Sequence, residues 1–249
     1  MAYDPPMRAR QLLLTICCLA FVATTGSAQN PAQITKQAES LVRQGDIYRD
    51  TKDWPRAIDA YQRARALEPS FGAFAGLGLA YDEQKDYRNS VDAWKRALAI
   101  KPDATAANRL GLAHYYLDEP QAAVAAFQQA IQLKSDSPSY NYNLGLAYLD
   151  LKDYPNAANA FKNSIALTPT AAALNNLGFA YHQLQRYPEA IAQYQEAIRL
   201  DSKSVDNYYG LGMSYLHSGN KDKALETQKT LQSLNPAMAR KLLDEIQQP

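Results

Sequence analysis

The sequence predicts an all-α solenoid of six helical hairpins, closed at its C-terminal end by one further helix. One glycine recurs at intervals of 33 or 34 residues, and an aromatic residue follows it by sixteen positions in five of six cases. The recurring glycines are Gly45, Gly78, Gly111, Gly145, Gly178 and Gly212. A period of this length is typical of repeat architectures, in which each unit buries its apolar face only against its neighbours.

The first helix of each unit contains the recurring glycine. Around Gly145, the residues Leu144, Ala147, Tyr148 and Leu151 repeat at three- and four-residue steps, which places them on one helical face. A glycine inside a helix costs about 1 kcal/mol relative to alanine. Its repetition therefore predicts that another element packs closely against the helix at this point.

The second helix begins after a short break at which proline recurs. Pro155 stands two residues after Asp153 and fits the first helical turn, where a missing N–H group has no consequence. Pro55 and Pro188 occupy the same place in their units. The second helix then carries the ring, which we expect to fill the space beside the glycine. The rings are Tyr61, Trp94, Phe127, Phe161 and Tyr194, and the sixth unit has Gln228 instead.

The two ends of the array differ from its interior. Residues 29–37 precede the first unit and predict a short flexible leader. Residues 237–249 predict a capping helix, because its apolar residues share one helical face. These apolar residues are Met238, Leu242, Leu243 and Ile246.

Residues 1–28 predict a cleaved secretory signal peptide. Arg8 and Arg10 precede an uncharged apolar run from Leu12 to Val22, and small residues follow. The run is shorter than the roughly 20 residues that span a bilayer. Cleavage after Ala28 would remove both cysteines of the chain, and with them any disulfide or thiolate chemistry. We therefore expect an exported protein, periplasmic or secreted, from a bacterium.

These spacings resemble the tetratricopeptide repeat, a helix–turn–helix motif of about 34 residues that carries Leu-Gly, Tyr, Ala, Phe, Ala and Pro at fixed positions. The resemblance covers residues 38–236. Its six units are 38–70, 71–103, 104–137, 138–170, 171–204 and 205–236. Departures include His114 in place of Tyr, and Gln228 and Leu231 in the sixth unit. The resemblance implies a right-handed superhelix whose first helices line a concave groove, and a role in protein–protein interaction.

The resemblance also implies which residues face the groove: those three before and one, four and five after each glycine. In the first two units these positions are largely charged, whereas from the third unit on they are mostly Tyr, Asn, Leu, Phe and Met. Rings and amides suit an extended or helical peptide, although packing between neighbouring first helices is the alternative for the Leu, Phe and Met row. The candidate partner-binding residues are Asn108, Tyr115, Tyr116, Tyr142, Asn175, Phe179, His182, Tyr209 and Met213.

The sequence predicts neither catalytic nor metal chemistry. His114, His182 and His217 are the only histidines, and none of them pair at three- or four-residue spacing. His182 and His217 can meet across neighbouring helices, but a metal site would need further ligands. No Ser/His/acid arrangement can be argued, so we expect no enzyme, no cofactor and no metal. The formal net charge of +1 predicts no nucleic-acid partner, and no membrane insertion is expected after signal cleavage.

Together these features predict a scaffold or adaptor of the bacterial cell envelope that binds a peptide or partner helix in its groove. Periplasmic proteins that resemble it serve envelope or pilus assembly. Two alternatives remain open: the groove holds a glycan or small molecule, or the chain assembles with copies of itself.

Overall fold

A computed structural model describes residues 30–247, which form thirteen α-helices and no β-strand. The helices form six successive hairpins and one closing helix, which confirms the predicted all-α solenoid. The predicted signal peptide lies outside the described residues. Among the helices that are described, none has both the length and the hydropathy that crossing a bilayer requires.

Each hairpin pairs a first helix with a second helix. The first helices are α1 (Pro31–Asp50), α3 (Phe71–Glu83), α5 (Ala104–Tyr116), α7 (Pro138–Asp150), α9 (Ala171–Gln183) and α11 (Val205–His217). The second helices are α2 (Trp54–Leu67), α4 (Tyr87–Ile100), α6 (Pro120–Leu133), α8 (Tyr154–Leu167), α10 (Tyr187–Leu200) and α12 (Lys221–Leu234). The closing helix is α13 (Pro236–Gln247).

The N-terminal helix is longer than the sequence predicted. Residues 31–37, expected to belong to a flexible leader, are the first turns of α1. The Asn30 side chain accepts a hydrogen bond of 3.1 Å from the Ala32 N–H, and Pro31 occupies the first turn. The prediction was wrong because it started the helix at the first apolar position of the repeat and overlooked this Asn-Pro cap.

The turn inside each hairpin contains one residue with a left-handed backbone. Its φ lies between 56° and 59° at Lys52, Lys85, Asp118, Lys152 and Gln185, and is 83° at Gly219. In the first hairpin the Asp53 N–H donates to the Tyr48 carbonyl at 2.8 Å, which closes α1 in a Schellman arrangement. The Asp53 carboxylate then accepts from the Arg56 N–H at 3.3 Å and caps α2. One short segment thus ends one helix and starts the next.

The recurring glycines let the rings approach the first helices closely. A Cβ atom added to Gly145 would lie 2.6 Å from the Phe161 ring, and one added to Gly111 would lie 2.5 Å from Phe127. Both rings are fully buried. The predicted reason for the glycine, close approach of the second helix, is therefore confirmed in these units.

A second pair of glycines accompanies the rings that are tyrosines. Gly76 and Gly210 lie on the next first helix and face Tyr61 and Tyr194, whose ring atoms would clash with any Cβ there. After the Trp and Phe rings, the same position holds Arg109, Asn143 and Asn176. The tyrosine side chain thus occupies the space that the side chain of Arg or Asn takes up in the other units.

The closing helix supplies the side chain that the sixth hairpin lacks. Gln228 stands at the ring position of α12, and Leu242 of α13 packs against Gly212 instead. Leu242 and Ile246 are almost completely buried, whereas Met238 and Leu243 are half-buried. The helix therefore covers the end of the array mainly through two of the four apolar residues that the sequence predicted for its buried face.

Candidate partner-binding groove

The six first helices line the inner side of the array. Neighbouring first helices such as α9 and α11 pack directly against each other, while within residues 30–247 neighbouring second helices show no comparable packing. The array therefore curves with the first helices inside, as stacked helix pairs do in solenoids.

An apolar opening on this inner side, called the groove pocket below, lies between α9 and α11. Its volume is about 500 Å³, within the range of small-ligand and side-chain pockets. It is lined by Leu149, Asn175, Asn176, Phe179, His182, Gln183, Tyr194, Asp206, Tyr209, Gly210 and Met213. Five of the nine predicted residues meet here, namely Asn175, Phe179, His182, Tyr209 and Met213.

Three other predicted residues lie outside the groove pocket as rings on first helices. Tyr116 is 58% exposed and stacks on Tyr87, with ring centroids 4.8 Å apart. Tyr115 is half-buried, and burial together with the nearby Asp150 raises its pKa. The Tyr142 and Phe161 rings pack edge to face with their centroids 5.7 Å apart, so part of the role of Tyr142 is structural.

Asn108, the remaining predicted residue, is buried between two first helices. Its side-chain oxygen accepts a hydrogen bond of 2.9 Å from the Asn143 amide of the next first helix. Because a buried amide needs such a partner, Asn108 joins two repeats. The position of Asn108 within its repeat could not reveal this hydrogen bond, because it does not specify which residue of the next repeat lies opposite.

Further amide bonds cross between first helices along the groove. The Asn175 amide donates to the Asn207 side-chain oxygen at 2.6 Å, and the Asn176 amide donates to the Tyr142 hydroxyl at 3.1 Å. Each asparagine carries two amide hydrogens and two lone pairs, so these single bonds leave hydrogen-bonding capacity. Asn175 and Asn176 therefore both hold the helices together and present polar atoms to the groove pocket.

His182, which lines the groove pocket, lies next to His217 of the following first helix. His217 Nδ1 lies 3.2 Å from His182 Nε2, and His182 Nδ1 lies 2.9 Å from the Ser214 hydroxyl. Ser214 donates its own proton to the Gly210 carbonyl at 2.8 Å, so the hydroxyl accepts from His182 Nδ1–H. His182 Nε2 is then an acceptor and His217 Nδ1 a donor. In the described part of the chain, no three His, Cys, Asp or Glu side chains converge as metal ligands would.

Acidification should weaken the fold through His182. Burial, with a smaller contribution from His217, lowers the pKa of His182 below its ordinary value. Since the folded pKa is the lower one, the stability that His182 provides is complete above about pH 6.5 and is lost as pH falls through the folded value. We expect the thermal midpoint to fall between about pH 7.5 and pH 5.5, and to fall less in His182→Gln. Equal pH slopes in the two proteins would contradict this assignment.

The two sides of the array differ in charge. The first helices carry seven acidic and four basic residues, whereas the second helices carry six acidic and eleven basic ones. Asp206 lines the groove pocket, and among the described residues no Lys or Arg does. The inner side therefore has an excess of negative charge, which favours cationic ligands.

Sequence reasoning overlooked several of the residues that line the groove pocket, above all Tyr194. Tyr194 was predicted to be a packing ring, and it is indeed 3% exposed, yet it also lines the pocket. The signal that could have revealed it is Gly210, which precedes the recurring Gly212 by two residues and recurs only as Gly76. Asp206, in the first turn of α11, lies one helical turn before the positions that were considered.

Comparison with known proteins identifies the repeat. Models of the tetratricopeptide repeat match residues 42–105, 75–138, 108–172 and 205–238, and a TPR repeat model matches 178–219. The sequence matches no curated protein.

Solved structures resemble the fold at low sequence identity. The crystal structure of MamA protein shares 22% identity, with a TM-score of 0.65 over 68% of this chain and 94% of that one. Pseudomonas aeruginosa pilF shares 18% identity, with a TM-score of 0.65 over 86% and 99%. The C-terminal part of a TPR repeat-containing protein from Cytophaga hutchinsonii shares 15% identity, with a TM-score of 0.70 over 82% and 84%. At these identities the likeness concerns the fold alone.

Proposed function

Because this chain belongs to the tetratricopeptide repeat family, we propose that it is a protein-interaction scaffold rather than an enzyme, and that it binds a peptide or partner helix in its concave groove. The observation that carries the proposal is the groove pocket of about 500 Å³ between α9 and α11. Rings and amides both line it, a combination suited to holding a side chain together with its peptide backbone.

The cellular setting belongs to the same proposal. The basic, apolar and small-residue order of residues 1–28 supports export, so we place the protein in the bacterial envelope, as a periplasmic or secreted adaptor. Fractionation of cells that express the full chain tests this placement, with N-terminal sequencing of the exported form to locate the cleavage after Ala28. Recovery of the intact chain in the cytoplasm would contradict it.

Removing a groove ring should weaken partner binding while the fold is retained. Phe179 is 40% exposed, and its ring lies edge to face with the Tyr154 ring, the two centroids being 6.3 Å apart. We expect Phe179→Ala to lower affinity about tenfold, since ring anchors in interface pockets contribute strongly. The partner would be captured by crosslinking in intact cells, and its segment then titrated by calorimetry.

Leu200→Ala is the matched control, because Leu200 is 43% exposed but ends the second helix α10. Its affinity should equal that of the wild type. Tyr209→Ala is a second groove variant, which shows whether the loss of affinity is specific to Phe179 or common to the groove rings. Wild-type affinity in both groove variants would overturn the groove assignment.

A further inference from the structure

One residue that lines the groove pocket, Tyr194, has a hydroxyl without a hydrogen-bond partner among residues 30–247. Tyr194 projects from α10 and is 3% exposed, and a Cβ on Gly210 would lie 2.7 Å from its hydroxyl oxygen. Among the hydrogen bonds of residues 30–247, none involves this hydroxyl. Since no fully enclosed polar side-chain atom there lacks a partner, the hydroxyl must be accessible from the pocket.

Tyr61, the corresponding residue of the first unit, shows what Tyr194 lacks. The Tyr61 ring also passes a glycine, Gly76, but its hydroxyl donates a hydrogen bond of 2.9 Å to the Asp46 carboxylate. Asp46 directly follows the recurring glycine of its unit, and the residue at that position in the fifth unit is Phe179. A phenyl ring accepts no comparable hydrogen bond. The tyrosine hydroxyl at this repeat position is thus hydrogen-bonded in the first unit and has no such partner in the fifth.

The Tyr194 hydroxyl is a donor under ordinary conditions. Burial raises the pKa of Tyr194 above its usual value, so the proton stays on the oxygen at neutral pH. A buried donor in an apolar pocket discriminates strongly, because a ligand without an acceptor leaves it unpaired. The hydroxyl therefore favours ligands that carry an oxygen acceptor beside an apolar group.

The walls of the pocket define the rest of the ligand. Leu149, Phe179 and Met213 are apolar lining residues of the same pocket, and Asp206 is the acidic group among the lining residues. The first helices as a whole also carry more acidic than basic residues. A peptide with an apolar side chain next to a lysine or arginine matches both features.

We propose that Tyr194 is a specificity-determining residue of the groove, whose hydroxyl donates a hydrogen bond to a main-chain carbonyl of a bound basic peptide. The apolar side chain of that peptide fills the groove pocket, and its neighbouring cation faces Asp206. The proposal rests on the proposed function, because it names the ligand chemistry of the same groove.

The test compares two variants that each remove one hydroxyl, Tyr194→Phe and Tyr61→Phe, in the full chain. The probes are peptides of about twelve residues selected from a random library against the wild type, labelled and titrated by fluorescence anisotropy. Tyr194→Phe should keep the wild-type thermal midpoint and bind about tenfold more weakly. Tyr61→Phe should bind as the wild type does but unfold at a lower temperature, because it loses the bond to Asp46. The selected peptides should pair an apolar residue with Lys or Arg, and Lys→Glu in them should weaken binding.

Several outcomes would overturn the proposal. If Tyr194→Phe binds as the wild type does while Phe179→Ala binds weakly, the groove function stands and the role of Tyr194 falls. A lower thermal midpoint in Tyr194→Phe would also overturn it, since the hydroxyl would then have a partner within the fold. Selection of acidic peptides would refute the charge assignment. If no peptide binds, or if neither Phe179→Ala nor Tyr209→Ala changes peptide affinity, the inference and the proposed function fall together.

Discussion

Leu242→Ala should lower the free energy of unfolding by about 2–5 kcal/mol, the usual cost of truncating a fully buried leucine. The side chain is completely buried and packs against Gly212, where the other hairpins place a ring of their own second helix. Its loss would leave a cavity at the end of the array and loosen the helix that covers the sixth hairpin. Chemical denaturation of the full chain measures the effect.

Leu243→Ala is the matched control, since Leu243 follows on the same helix but is only half-buried. Leu243→Ala should lower the free energy of unfolding by less than Leu242→Ala does. A double-mutant cycle with Gly212→Ala sharpens the test: a methyl at Gly212 clashes with Leu242 but partly fills the space that Leu242→Ala vacates. The double variant should therefore be more stable than the sum of the single effects predicts. Additive effects would show that Leu242 does not replace the missing ring.

Gly145→Ala should also destabilise the protein, by about 1–3 kcal/mol, although alanine is the better helix former. A Cβ at this position would lie 2.6–2.8 Å from three atoms of the Phe161 ring, which is itself fully buried. The ring has no free space into which to move, so the two helices must separate. The midpoint of denaturant unfolding is the measurement.

Gly72→Ala provides the opposite expectation within the same fold. Gly72 is exposed on α3, and its added Cβ would lie at an ordinary 3.4 Å from a methyl group of Val42. Here the higher helix propensity of alanine should prevail and raise stability by up to about 1 kcal/mol. A destabilised Gly72→Ala, or a neutral Gly145→Ala, would show that crowding is not what requires the recurring glycine.

The repeat pattern predicted the architecture well because its marks are local consequences of packing. Gly145 and Phe161 stand sixteen residues apart, within one hairpin, so sequence spacing alone relates them. The short connections leave each hairpin few ways to fold, and the period ensures that each neighbour repeats the same contact. The start of α1 was misjudged because no earlier repeat precedes it, and only the cap formed by Asn30 and Pro31 indicates where it begins.

The candidate site was predicted less completely, because its contacts join residues about 32–35 positions apart that no single unit relates. The sequence suggested that Asn175 and Asn108 serve the same purpose, yet Asn108 is buried against Asn143 while Asn175 lines the groove pocket. His182 and His217 were expected to be able to meet, and they do. Tyr194 was assigned to packing alone, although its hydroxyl reaches the pocket.

By itself the sequence determined the repeat, the two helices of each unit and the ring that fills the space beside each glycine, since periodic spacing encodes these directly. Only the tertiary structure decided which side chains become available to a ligand. The fifth unit has Phe179 at the position that Asp46 occupies in the first unit, so the Tyr194 hydroxyl lacks the acceptor that Tyr61 has. Gly210, which has no side chain, leaves room beside the Tyr194 ring. Such availability depends on what neighbouring repeats place opposite each atom, and hydrogen-bond partners are fixed by distances in space rather than by position in a unit.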